Sequence, residues 1–270
     1  AWLRLGVLSI QPGELLKFSF ILTLAWHLDK LEERVNNPRE LLLVCLHGAA
    51  PCVLIFLQGD MGSALIFFLI FVSMIFVSRL SWKYLALGAG SAAALSPLVW
   101  YLLPDYLKNR FLVLGGLENA SLKEAYQQLM GRRILGSGMS FGKGLFSDEF
   151  TYVYAIENDL VMAHIGQALG FVGAAGALLL LTVICGKILL TARSSRDVLG
   201  NSICTGVFAM IFFQSALNIG MVLGLLPVIG VTLPYFSQRG SSLVVSCLSA
   251  GLVLSVSASD QKRRTRRRSG

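Results

Sequence analysis

The chain has 270 residues, of which 55% are hydrophobic and only 14% charged. A soluble domain carries about 25% charged residues, so a single water-solvated core is excluded and lipid is required as part of the solvent. The net charge is +8, and six of the positive charges gather in Lys262, Arg263, Arg264, Arg266, Arg267 and Arg268, directly after an apolar stretch and with no aromatic residues between them, which favours anionic lipid over nucleic acid as the partner of the tail at 260–270.

Seven stretches are apolar and long enough to cross a bilayer, which takes about 20 residues each: 12–29, 41–57, 62–79, 84–103, 160–190, 201–226 and 238–259. None alternates as a barrel strand would. Lipid offers no partner to free N–H and C=O groups, so each is expected to be helical. The expected fold class is an all-α, polytopic transmembrane bundle forming one domain over 1–270.

The first stretch carries Glu14 and Lys17, three residues apart and therefore on one helix face where they can pair. Charges inside a membrane face a protein interior or a wet cavity, so the pair is either a packing device or part of a substrate site. Between the second and third stretches, Gln58-Gly59-Asp60-Met61-Gly62 forms a turn in which Asp60 is either a helix N-cap or a functional group.

The connectors Lys30 to Arg39, Arg79 to Lys83 and Arg193 to Asp197, together with the tail, are short and basic, and all fall on one side of an up-and-down bundle. Short cytoplasmic loops favour Lys and Arg, so that side is expected to be the cytoplasm. The link at 104–159 then faces outward. Connections of over about 15 residues are uncommon and tend to carry function. This one holds Arg132, Arg133, Gly136-Ser137-Gly138 and Gly142-Lys143-Gly144, and it ends on Asp159 at the mouth of the longest apolar stretch. A carboxylate at that boundary can serve as a general base on a substrate hydroxyl, or cap a helix. Further on, Arg239-Gly240-Ser241-Ser242 offers backbone N–H groups and a guanidinium at a helix start, which suits a phosphate.

Cys45, Cys52, Cys185, Cys204 and Cys247 lie in apolar runs without metal-ligand spacing and are expected to be reduced and buried. His27, His47 and His164 are expected at helix ends or packed between helices. The chain opens at Ala1-Trp2-Leu3 with no initiator Met or signal peptide, and an N-terminal part is expected to be absent.

Taken together, the motifs resemble the SEDS family (shape, elongation, division and sporulation), the RodA-, FtsW- and SpoVE-like proteins. Trp2-Leu3-x-Leu5-Gly6 with Gln11-Pro12-Gly13-Glu14-x-x-Lys17 is similar to the family's RWLxLG…QPSExxK, and Gln58 to Ser63 to QPDLGT. Gly136-Ser137-Gly138 with Gly142-Lys143-Gly144 resembles GSGG…GKG, and Asp159 to Phe171 resembles DFIFAxxxEELGF. Asn218 to Gly230 is similar to NIGMVLGLLPVTG, and Leu233-Pro234…Gly240-Ser241-Ser242 to PLPFxSYGGSS. The chain departs from the pattern at Ala1, Gly59, Met130, Ala155, Glu157, Gln167, Ala168, Gln238 and Arg239.

The resemblance implies a ten-span bundle of which three spans precede this sequence, and a peptidoglycan glycosyltransferase that polymerises lipid II at the outer face of the bacterial cytoplasmic membrane. It implies a class B penicillin-binding protein as partner. It implies Asp159 as the catalytic carboxylate and Glu14 and Lys17 as a functional pair. Substrate contacts are then expected from Asp60, Asn218 and the Gly240-Ser241-Ser242 turn. The leaving pyrophosphate is expected to be met by Lys17, Arg132, Arg133, Lys143 and Arg239, or by a divalent cation, Mg2+ or Mn2+, whose ligands the sequence does not identify. A flippase for the lipid-linked precursor, or a non-catalytic scaffold for a transpeptidase, is the competing expectation.

Overall fold

The computed structural model describes residues 3–5, 8–105, 108, 109, 111, 112, 122–147, 150, 159–195 and 197–268. Trp2 and Gly6 of the opening motif, and Ala155 and Glu157, lie outside the described residues. Helices occupy all seven apolar stretches: α1 Pro12–Leu31, α2 Pro38–Leu57, α3 Met61–Val77 and α4 Trp82–Leu102 in the first part of the chain. After α5 (Leu122–Ser137) come α6 Val161–Ser194, α7 Val198–Leu223 and α8 Gly240–Arg268. Among the described residues, α2, α6, α7 and the first 22 residues of α8 are each long and apolar enough to cross a membrane, and α3 is a shorter apolar helix of 17.

Local chemistry sets several boundaries. Pro12 and Pro38 open α1 and α2, where a missing N–H costs nothing. The side chain of Asn37 caps α2 by accepting from the Arg39 amide at 3.1 Å. Two short antiparallel strands, Leu3–Leu5 and Leu8–Ile10, pair ahead of α1. The hydropathy pattern, which reads only long apolar runs, gives no sign of them.

The chain divides into two compact units. Unit 1 comprises residues 1–81, 181–214 and 239–270. Within it, the buried face of α1 runs through Glu14, Lys17, Phe20, Ile21, Leu24, Ala25, Leu28 and Leu31, at the three-and-four spacing of one helix side. α1 packs against α2, α3 and α8, and α2 packs chiefly on α3. Asp29 of α1 accepts from the Leu199 amide at 3.1 Å, so a carboxylate from one helix caps the start of another. The Asn36 side chain donates to the Arg79 carbonyl and accepts from the Ser81 amide, joining the two basic connectors.

His27 and His47, far apart in sequence, stack at 5.4 Å with their Nδ1 atoms 3.2 Å apart. They pack between α1 and α2, as expected. Cys185 and Cys204 are buried, but Cys45 and Cys247 are exposed. This departs from the expected burial: residues on the outside of a membrane helix face apolar lipid, so an apolar run does not imply an interior position. α2 shows the same thing, with Leu57 75% exposed.

Unit 2 comprises residues 82–180 and 215–238. Within the long link, α5 buries Gln128, Gly131 and Ile134, and Gly138 just after it is buried too, again at helical spacing. α6 is broken at Gly170, which has φ 68° and ψ −164°. Beyond the break, Phe171 N–H donates to the Met139 carbonyl at 2.8 Å and Val172 N–H to the Ser140 carbonyl at 3.2 Å. The Gln167 and Ala168 carbonyls, which a continuous helix would give to those amides, instead accept from Lys143 N–H at 2.9 Å and Gly144 N–H at 3.0 Å. The loop after α5 has inserted into the helix ladder and exchanged hydrogen bonds with it, so the two amides and two carbonyls that lose their helical partners find new ones in the loop.

This exchange needs backbone-to-backbone contact. A Cβ at Gly138 would overlap the Gly166 carbonyl oxygen, and one at Gly142 the Ala168 carbonyl oxygen. Neither neighbour is a side chain that can move aside. Gly138→Ala is therefore expected to cost on the order of 3 kcal/mol, read as a lower melting temperature in detergent. An unchanged melting temperature would show that the exchange contributes little to stability.

Candidate functional site

Asp159 sits two residues ahead of α6 and one position before its N-cap Leu160. The positive end of the helix favours a charge there. It is half-buried, with Leu160 fully buried behind it. α5 lies against this helix head: a Cβ on Gly131 would stand 3.6 Å from the Leu160 side chain, and one on Gly166 2.5 Å from that of Leu135.

α7 ends in unit 2 with Gly224 at φ 72°. The Gly224 amide bonds the Met221 carbonyl and the Leu225 amide the Gly220 carbonyl, the double pattern of a Schellman motif. Arg132, expected to meet phosphate, donates through Nε to the Leu223 carbonyl at 2.8 Å and through Nη2 to the Gly224 carbonyl at 2.9 Å. A guanidinium at a helix C-terminus completes carbonyls that have no intrahelical partner. Gln128 adds a bond to the Leu226 carbonyl. Arg133, the next residue of α5, is exposed. Lys143 is half-buried in the loop exchanged with α6.

Asn218 is fully buried on α7. Its Nδ2 donates to the Asp159 carbonyl at 2.9 Å and to the Val231 carbonyl at 2.7 Å. Both amide hydrogens are therefore used within the protein. Gly230, at φ 71°, stands beside the Asp159 carboxylate, with 3.7 Å between the position of its Cβ and Oδ2.

Unit 1 holds the remaining expected residues. Lys17 Nζ donates to Glu14 Oε1 at 2.8 Å, and the two residues are 1% and 4% exposed. Asp60 caps α3 by accepting from the Ser63 amide and hydroxyl, each at 2.9 Å, and also accepts from Gln11 Nε2 at 3.2 Å. With Gln11, Pro12, Gly13, Ile55 and Gln58 it lines a cavity of about 90 Å³, room for roughly three waters. Asp60 is thus a helix cap that also borders a cavity. Gln11 is 7% exposed and its Oε1 has no partner, which makes the cavity a surface that seeks hydrogen-bond donors.

Arg239 is half-buried and its carbonyl accepts from the Ser242 and Leu243 amides at the start of α8. Ser241 and Ser242 are buried, and Ser241 Oγ accepts from the Gln11 amide at 3.4 Å, leaving Gly240 as the exposed residue of that turn. Gln11 and Gln167, the latter with neither side-chain amide atom paired, were not among the residues expected at the site. Gln167 had a signal, since it stands where the resembling motif has Glu.

Among the described residues no group of three or more His, Cys, Asp and Glu could cage a metal ion. Mg2+ is commonly held by one or two carboxylates together with substrate phosphates, so Asp60 or Asp159 fits that class of site without forming a cage.

A family model described as cell cycle protein, for FtsW, RodA and SpoVE, matches residues 1–262. The chain is 29% identical over 262 residues to the peptidoglycan glycosyltransferase MrdB of Escherichia coli (strain K12), covering 94% of this chain and 70% of that protein. It is 34% identical over 276 residues to the probable peptidoglycan glycosyltransferase FtsW of Bacillus subtilis (strain 168), covering 95% and 66%. In structure it matches a chain of a peptidoglycan synthase complex that coordinates polymerization and crosslinking, with a TM-score of 0.79, 29% identity, and coverage of 96% of this chain and 73% of that one.

Proposed function

The chain belongs to the family of cell cycle proteins named for FtsW, RodA and SpoVE, and from that premise we propose that it is a peptidoglycan glycosyltransferase polymerising lipid II into glycan strands. It is a multi-pass protein of the bacterial cytoplasmic membrane, in keeping with its long apolar helices. A class B penicillin-binding protein is its partner, cross-linking the strands that it makes.

The observation that supports this reading best is the placement of Asp159: a half-buried carboxylate at a helix head, tethered by its own backbone carbonyl and bordered by a glycine. In the reaction, Asp159 takes the proton from the 4-hydroxyl of the acceptor sugar. The freed oxygen forms a bond to the donor's anomeric carbon, and the bond from that carbon to the pyrophosphate oxygen breaks with its electron pair. Undecaprenyl pyrophosphate leaves. Its charge calls for cations. Arg133, exposed on α5, is a candidate to supply one in unit 2, whereas Arg132 already holds the end of α7. A divalent cation would add charge neutralisation at the pyrophosphate. In unit 1, the acceptor-rich cavity at Gln11 and Asp60 suits hydroxyl or amide donors.

The test is polymer formation by the purified protein in detergent micelles supplied with lipid II. Micelles have no second leaflet, so a flippase has nothing to deliver to. Glycan strands on a gel support the enzyme. Their absence from folded protein, together with lipid II transfer across vesicles, would replace it with the transporter.

A further inference from the structure

The proposed reaction asks one carboxylate to meet one hydroxyl, yet Asp159 lies outside α6, on the connection that leads into it, and connections are where chains ordinarily move. Something must hold it. The best-placed group is Asn218. It is fully buried, and its two amide hydrogens reach two separate pieces of chain: the Asp159 carbonyl at 2.9 Å and the Val231 carbonyl at 2.7 Å. Val231 follows Gly230, whose α-carbon faces the Asp159 carboxylate. The Asn218 amide therefore ties the residue bearing the carboxylate to the segment that borders it.

We infer that Asn218 is a positioning residue for Asp159, acting by bridging the Asp159 and Val231 carbonyls and not by touching substrate. This rests on Asp159 being the base of the proposed reaction. The chemistry selects the residue type. A primary amide has two hydrogens on one nitrogen and can bridge two acceptors. Aspartate has no donor when ionised, serine has one, and leucine has the same branching with none. α7 is anchored by the Schellman turn and by Arg132 at its end, so the amide projects from a fixed support, as a positioning group must. Gly230 completes the arrangement. A methyl group there would only touch Oδ2, at 3.7 Å, but φ 71° is strained for any residue with a Cβ.

The test compares Asn218→Leu, Asp159→Ala and the double variant as full chains in detergent, each normalised to monodisperse, folded protein. Asn218→Leu is expected to lower kcat by about 100-fold with KM within about two-fold, the loss that follows from misplacing a reacting group by an ångström. On the Asp159→Ala background it is expected to lower the residual rate no further, since a residue acting only through Asp159 has nothing left to position. Hydrogen exchange is expected to quicken at Leu160 to Ala163 and to stay unchanged in α1 to α3.

A kcat close to that of the parent chain, an equal loss on both backgrounds, or unchanged exchange at Leu160 to Ala163 would overturn the inference. If Asn218→Leu does not fold, Gly230→Ala tests the other side of the bridge, with the same split between kcat and KM expected and a parent-like kcat overturning it. If Asp159→Ala itself polymerises normally, the parent reading of Asp159 fails. The exchange measurement still decides whether Asn218 orders that segment.

Discussion

Asp159→Ala is expected to abolish polymerisation of lipid II, with a loss of at least about 100-fold and up to about 10,000-fold, the range set by a general base. The variant is expected to fold. The bond from Asn218 goes to the backbone carbonyl of Asp159, which every residue has, so removing the side chain leaves the tether in place. Leu160, fully buried behind it, still anchors the helix head. Asp159→Asn is the sharper control, because it keeps the shape of the side chain and removes only its charge and basicity. Both should elute and melt like the parent chain while making no glycan strands. Normal strand synthesis by either, at equal amounts of folded protein, would remove Asp159 from the mechanism and leave only the helical bundle.

Breaking the pair of Glu14 and Lys17 is expected to have the largest effect on stability. The two residues are almost wholly enclosed, and Lys17 Nζ lies 2.8 Å from Glu14 Oε1. Lys17→Met leaves a carboxylate in an apolar setting, and Glu14→Leu leaves an ammonium there. Each single substitution is expected to cost about 3–5 kcal/mol, because the remaining charge keeps its desolvation penalty and loses its partner. Replacing both together is expected to recover most of that loss, since a well-packed apolar pair of similar volume avoids the penalty altogether. Melting temperatures in detergent measure the cycle. Additive losses in the double variant would show that the two charges do not support each other. Polymerisation by the double variant then separates two tasks. Activity recovered with stability marks a packing device, and stability without activity marks a contact with substrate.

The helices were legible because their causes are local. About 20 apolar residues in lipid must satisfy their own backbone, and Pro12, Pro38, Asn37 and Asp60 act within a turn of where they stand. The pairing of Glu14 with Lys17 followed from helix spacing alone. Asp159 stood out by position and motif, and Asn218 by motif only. What it binds could not be read, since its partners lie 59 and 13 residues away. Arg132 shows the same limit. Its charge suggested phosphate, but its nearest acceptors are carbonyls freed at the end of a helix about 90 positions further on.

The break in α6 is the clearest case of what only the tertiary structure decided. Residues 160–190 read as one unbroken apolar run, and hydropathy carries no trace of Gly170 turning to positive φ. The break exists because four hydrogen bonds can be traded with a loop 24 to 32 residues earlier, and because Gly138 and Gly142 have no side chain to keep the two backbones apart. By itself the sequence determined membrane residence, helical class and family, because composition and short-range spacing act on each segment independently. Which helix is interrupted, which cation is spent on a helix end, and which amide holds Asp159 were settled only when distant segments met, since a hydrogen bond depends on where both of its partners lie.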